Sequence, residues 1–345
     1  MSREPYTLFK EVHVETAEEF LDVFTPHRGG YLYGRRNNDA WIFRGQANAH
    51  WTLQPSALRD GDPWLRFRGG QLKPLRMTDE QRMNWEETFV HRFADHASRL
   101  GYELPFDSYE LRDRDAAIPK HTGAKFPPPR ARGLYALAQH YGVPTRFLDW
   151  STRALVAAYF AAEGAVRSNE PKPERLAVWA LHRAFVQQYM HPPDLGVDIV
   201  TVPKVSVPNL RTQSGLFTLV RYRTVEAMDC SETPTVSSPP DLDILFTSSS
   251  FAEEMSNTPS LEKLPMLYKF TLPTEKARFL LHYLYLSGID AASIYHGHRS
   301  IADAMQENSL RSVCTPEHTA LGRPNAEASA RRELAPKDEQ ATNAD

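Results

Sequence analysis

Leu137 to Ala162 reads LAQHYGVPTRFLDWSTRALVAAYFAA. The first half crowds His140, Arg146, Asp149, Trp150 and the Ser151-Thr152 pair around a Gly142-Val143-Pro144 break, and the second half is almost entirely small and apolar. A helix over 133–141 that stops at Gly142 and Pro144 follows from that punctuation. Thr145 to Leu148 then predicts a strand, and Arg153 to Glu163 a buried helix. A strand turning into a helix presents free backbone N–H groups and the positive end of a macrodipole, which suits an anion such as phosphate. Upstream, Trp41-Ile42-Phe43 predicts a short buried strand ending at Arg44-Gly45, with Gln46 next in line.

Working outward, Thr16-x-x-Glu19 fits a capping box that opens a helix with Phe20, Val23 and Phe24 on one face. Residues 51–59 read as an extended turn, and Gly69-Gly70 separates them from a helix over 79–100 with Trp85, Phe89, Phe93 and Ala97 as its apolar stripe. Residues 112–132 are charged and then proline-rich, the composition of a mobile surface loop. From Leu176 to Leu272 the stretches LAVWALH, DIVTVPKVSV, GLFTLVRYR and LPMLYKFTL are strand-like, with 229–260 a Ser/Thr/Pro-rich insertion between them. Two helices follow, one carrying Phe279, Leu280, Tyr283 and Leu286 up to Gly288, the other starting at Ser300 with Asp303 as its box partner. The expected architecture is one α+β domain over 10–311, a central and mostly antiparallel β region flanked by helices, with a disordered tail over 312–345.

Hydrophobic residues make up 41% and charged residues 24%, which is ordinary for a globular chain of 345 residues. A net charge of −3 gives no global basic field for nucleic acid or anionic lipid. Two cysteines, Cys230 and Cys314, supply neither a disulfide framework nor zinc-ligand spacing, and the expected setting is a reducing cytoplasm without membrane attachment. His296-x-His298 lacks a third metal ligand, so no metal is expected. The basic segment 59–76 has no stacked aromatic rhythm and reads as a solvated face.

Four blocks carry a family resemblance: Phe43-Arg44-Gly45-Gln46, the HYGVPTRFLDW run at 140–150, Ala157-Ala158-Tyr159-Phe160-Ala161, and Asn209-Leu210-Arg211-x-Gln213-x-Gly215-x-Phe217. With Leu53-x-Pro55-Ser56-x-Leu58-Arg59 they resemble the FRG domain, a family with bacterial members named for its Phe/Tyr-Arg-Gly motif. The layout is also similar, more distantly, to ADP-ribosyltransferases of the Arg–Ser–Glu type. That likeness implies an ADP-ribosyltransferase-like fold and NAD as the substrate, used for ADP-ribosyl transfer or hydrolysis with a protein or nucleic-acid acceptor. It assigns the NAD phosphates and ribose to Arg44, and the nicotinamide pocket to Ser151 and Thr152. The third position departs from the pattern, because Gln213 stands where a glutamate is expected. A neutral amide cannot offset charge developing at an anomeric carbon, so either another carboxylate, with Asp149 the candidate, supplies that charge or the fold binds NAD-like nucleotides without transferring ADP-ribose.

The set expected at the site is therefore Ser151, Thr152, Asp149, Gln213 and His140 for chemistry, with Arg44, Gly45, Gln46, Arg146, Tyr159 and Arg211 for the nucleotide. Each has a second reading. Arg44 fits a structural ion pair, and Gly45 admits a phosphate close to the backbone. Arg146 and Asp149 fit a mutual pair, Tyr159 a core aromatic, His140 a core histidine, and Arg211 with Gln213, sharing strand parity, a buried network. A non-catalytic module that binds a nucleotide, RNA or a protein is the alternative to the enzyme.

Overall fold

The computed structural model describes residues 7–25, 32, 40–68, 77–104, 126–168, 171–190, 196–202, 212–221, 223–224, 236–237, 239–248, 253, 265–295 and 297–311. The tail from 312, residues 112–125, Arg211, His296 and most of 229–260 lie outside them. The chain is α+β, built on one mixed sheet of seven strands. These are β1 (Phe9–His13), β2 (Trp41–Gln46), β3 (Phe147–Ser151), β4 (Arg175–His182), β5 (Val197–Val200), β6 (Gly215–Val220) and β9 (Leu267–Pro273). Their order across the sheet is β1-β9-β4-β2-β3-β6-β5, and only the β1–β9 pairing is parallel. A separate two-stranded ribbon pairs β7 (Arg223–Thr224) with β8 (Val236–Ser237).

The helices are α1 (Ala17–Val23), α2 (Leu65–Arg68), α3 (Asp79–Arg99), α4 (Arg132–His140), α5 (Ala154–Arg167), α6 (Arg183–Tyr189), α7 (Leu242–Thr247), α8 (Ala277–Leu286), α9 (Ala291–Ile294) and α10 (His298–Arg311). Local chemistry sets many of their ends. The Thr16 hydroxyl accepts the Glu19 N–H at α1, Thr78 and Gln81 form a reciprocal capping box at α3, and Gly142 closes α4 at φ +88°.

Strand parity sorts the core into three clusters. One face of the sheet carries two of them. Phe43, Val178 and Phe270 pack under α1, α5 and α8, while Phe147, Phe217 and Leu219 pack under α3 and α4. The opposite face buries Ile42, Leu148, Trp150 and Trp179 beneath α6 and α7. The two clusters on the first face meet at the junction of β2 and β3, and that junction is incomplete. β2 pairs with β4 over six residues but with β3 only at Phe43 opposite Ser151.

Gly45 fixes one side of this junction. A Cβ at position 45 would lie 1.9 Å from the Ala157 carbonyl oxygen and 2.8 Å from the Ala161 nitrogen, both backbone atoms of α5. The glycine therefore lets α5 press onto β2, a packing requirement rather than the ligand approach read from sequence.

Several expectations need correction. β3 runs to Ser151 and α5 starts at Ala154, so the Ser151 hydroxyl sits at a strand end. The span 229–260 contains α7, whose Leu242, Leu245 and Phe246 are buried, and the stretch after 125 buries Phe126 and Ala131 instead of looping through solvent. α10 begins at His298, and Ser300 donates its hydroxyl back to the Gly297 carbonyl at 2.7 Å. The buried side of α3 runs through Met83, Glu86, Val90 and Ala94 as well as Phe89, leaving Trp85 and Phe93 at its margin.

The close approach at position 45 makes Gly45→Ala strongly destabilising. Overpacking typically costs about 1–3 kcal/mol, and contact with rigid backbone places this case at or above that upper end. Urea unfolding should show a lowered midpoint with an unchanged slope, and a wild-type midpoint would refute the packing role.

Candidate functional site

Where β2 and β3 part, a cavity of about 380 Å³ opens between α4 and α5, within the size range of ligand pockets. Its polar groups are Arg44, Gln139, His140, Asp149, Ser151 and Gln213, and its apolar wall includes Phe43, Ala157, Phe160 and Tyr295. Strand, helix and turn each deliver part of the set. Arg44 comes from β2, Asp149 and Ser151 from β3, Gln139 and His140 from the last turn of α4, and Gln213 from the turn before β6.

By parity Arg44 belongs to the face opposite Phe43 and Gly45. Its Nη1 nevertheless donates to the Asp149 main-chain carbonyl at 2.8 Å and lies 3.7 Å from Asp149 Oδ2. The guanidinium thus occupies the gap where a backbone ladder would otherwise close the sheet. Burial pushes the Arg44 pKa down, the Asp149 charge works against that shift, and Arg59 adds to it. An arginine so placed stays charged. Its buried Nε has no hydrogen-bond partner among the described residues, a rare state for a buried donor.

Gln139 is the hub that sequence reasoning missed. Its Oε1 accepts from the Thr145 N–H at 3.1 Å, the Thr145 hydroxyl at 3.0 Å and the Ser56 hydroxyl at 3.3 Å. Its Nε2 donates to Asp149 Oδ2 at 3.0 Å, which aims the carboxylate into the cavity. Asp149 keeps nearly half of its side chain exposed, at 45%. Burial lowers the His140 pKa and Asp149 partly restores it, so the ring is neutral near pH 7. Tyr295 is pushed up to about 12 by burial and then by the Glu163 and Glu307 charges, and it keeps its phenolic proton.

Ser151 is already engaged. Its Oγ donates to the Gln213 carbonyl at 2.7 Å and accepts the Arg153 N–H at 2.9 Å, just ahead of α5. Thr152 is exposed, donates its N–H to the Ser214 carbonyl, and does not line the cavity.

Other expected residues sit elsewhere. Arg146 and Glu86 are fully buried partners, with Nε and Nη2 donating to Oε2 at 2.9 and 2.7 Å and the Arg146 N–H to Oε1 at 3.0 Å. Phe126 stacks under that guanidinium at 4.2 Å. Arg146 therefore pairs with Glu86 and not with Asp149, and it fastens α3 to β3 instead of reaching a ligand. Gln46 is buried between the Trp179 Nε1–H, which it accepts at 2.7 Å, and the Thr52 carbonyl, to which it donates at 3.0 Å. Tyr159 is buried and gives its hydroxyl to Glu307, while its neighbour Phe160 takes the place at the cavity wall. Gln213 precedes β6 in a turn, so the parity argument linking it to Arg211 does not apply.

Comparison with known families fits the motif reading. The sequence model of the FRG domain matches residues 39–170, the stretch that holds β2, β3, α4 and α5 with the cleft between them. The chain contains an FRG domain. No curated protein and no solved structure matches the chain. Among the described residues, no group of three His, Cys, Asp or Glu side chains is arranged to hold a metal, and no helix is long and apolar enough to cross a membrane.

The burial of His140 fixes the sign of one pH effect. Unfolded histidine titrates near about 6.5 and the folded ring below that value, so the unfolded chain takes up the proton first and acidification through this window lowers stability. NMR titration should place the His140 midpoint under the ordinary value. Asp149→Asn should move it further down, and an upward move would show that Asp149 does not face the ring.

Proposed function

We propose that this FRG domain binds NAD in the cleft and breaks its nicotinamide–ribose bond, passing ADP-ribose to water or to an acceptor. One observation carries the reading: a cation, a carboxylate and an aromatic wall converge on a single opening between parted strands. Arg44, with an unpartnered Nε, is the group for the diphosphate. Phe160 and Tyr295, whose ring centroids are 6.1 Å apart, offer a surface for a planar base.

In the reaction the bond between the anomeric carbon and the nicotinamide nitrogen breaks, and its electron pair leaves with nicotinamide. The sugar becomes oxocarbenium-like. The Asp149 carboxylate, held by Gln139 and only partly neutralised by Arg44 at 3.7 Å, is the negative charge next to it. A water or hydroxyl oxygen then bonds to the anomeric carbon and releases its proton to neutral His140.

A second reading, binding without turnover, is favoured by two contacts. The Ser151 hydroxyl is fully committed to Gln213 and Arg153, and Gln213 itself is neutral. The first reading requires NAD to bind and nicotinamide to appear, whereas the second requires only that a nucleotide, RNA or a protein be held without turnover.

Calorimetry and a nicotinamide-release assay separate them. The enzyme reading expects heat of binding and free nicotinamide. Asp149→Asn should retain NAD but lose roughly 100-fold or more in turnover, the usual scale for removing a charge-stabilising group. Arg44→Ala should weaken binding itself. Heat without nicotinamide, with water and protein or nucleic-acid acceptors supplied, would leave the binding module standing, and no heat would end the enzyme reading.

A further inference from the structure

Outside the cleft, a cationic and aromatic surface runs along α3. Arg82, Trp85, Phe89, Arg92 and His96 recur at alternating three- and four-residue spacing, which places them on one side of the helix, with Phe89 itself buried beneath the others. Of the five acidic residues of α3, Asp79, Glu80, Glu87 and Asp95 fall outside that stripe, and Glu86 is buried against Arg146. Trp85 stacks on Phe89 at 5.6 Å and an interplanar angle of 18°, and the exposed Arg92 lies 5.3 Å above the Phe89 ring. α2 extends the surface. Phe67, 37% exposed, packs on Phe89 at 5.4 Å, and the Arg66 guanidinium covers Phe67 at 4.8 Å.

The same surface leads to the cleft. Phe93 on α3 stacks with Tyr141 at 6.1 Å and 22°, and Tyr141 is 56% exposed immediately after the cleft-lining His140. Arg66 donates to the Gly142 carbonyl, and Arg82 donates to the Ala57 and Arg59 carbonyls at 2.9 and 3.0 Å. Those bonds fasten α2 to the end of α4 and α3 to the turn at 57–59, and they leave the side chain of Arg59 exposed. Arg59 is close enough to Arg44 to act on its charge.

We infer that this face binds single-stranded nucleic acid, with Tyr141 stacking on a base and Arg92 and Arg59 meeting the phosphates. Flat exposed rings interleaved with cations match a polyanion whose bases are free to stack. The charge is local, since the whole chain carries −3, so the attraction belongs to this surface and not to the protein at large. The surface stands on its own contacts and does not require that the cleft take NAD. Its position beside His140 would bring one nucleotide of the strand to the cleft mouth.

The test uses the full chain and fluorescein-labelled single-stranded RNA and DNA of roughly ten nucleotides, within the usual site sizes. Fluorescence anisotropy at low salt should show saturable binding of at least one of them. Tyr141→Ala should weaken it about five- to hundred-fold, the scale for losing a stacked base, while Tyr141→Phe keeps it. Arg92→Gln should lower the slope of log affinity against log salt by about one. Both side chains are exposed, and thermal melting confirms that each variant is folded before its affinity is read. The inference is overturned if neither oligonucleotide binds, if folded Tyr141→Ala binds like wild type, or if poly-glutamate displaces the strand as well as unlabelled oligonucleotide does. NAD calorimetry on the same variants keeps this failure separate from a failure of the cleft reading.

Discussion

The guanidinium of Arg44 stands where main-chain hydrogen bonds would otherwise join β2 to β3, and the candidate site depends on that separation. Each wall of the gap is anchored on its own. β2 is laddered to β4 over its full length and pressed against α5 at Gly45. β3 and α4 are fastened to α3 through Glu86 and Arg146, and to each other through Gln139 and Thr145. Burial alone would raise the Glu86 pKa, and the Arg146 charge with its hydrogen bonds opposes that rise. Removing one partner of such a buried pair generally costs about 3–5 kcal/mol, so this tie is strong against disruption whatever its net worth to folding. With both walls held, the strands do not close, and the Arg44 side chain spans the space.

This arrangement gives the polar residues distinct duties. Gln139 uses both ends of its amide to join the turn at Thr145 to the Asp149 carboxylate. Ser151 knots the end of β3 to the turn carrying Gln213 and holds the Arg153 N–H just ahead of α5. The groups left at the cavity with spare capacity are the Arg44 guanidinium, the Asp149 carboxylate and the neutral His140 ring. That is a small and chemically mixed set, suited to a ligand carrying negative charge at one end and a planar ring at the other.

Much of this was legible in the sequence, for local reasons. The Thr16 cap, the Gly142 stop, the alternating strands and the block from His140 to Ser151 all express short-range chemistry. What escaped depends on partners far along the chain. Arg146 meets Glu86 across 60 residues, and nothing near Arg146 distinguishes that partner from Asp149. Gly45 looked like a ligand contact because only the packed helix reveals the backbone atoms it spares. Gln139 carries no motif signal, since its importance lies in hydrogen bonds to Ser56, Thr145 and Asp149 at once. α7 was hidden in a composition typical of loops. α3 carries apolar residues on two sides, so its periodicity alone could not say which side enters the core and which forms the cationic surface.

The most direct measurement of the central claim is a crystal structure of the protein grown with NAD. The account predicts ordered density in the gap between β2 and β3, with the diphosphate at the Arg44 guanidinium and a ring against Phe160 and Tyr295. A cleft left empty at saturating NAD, or NAD bound on another surface with Arg44 still turned to the Asp149 carbonyl, would contradict it.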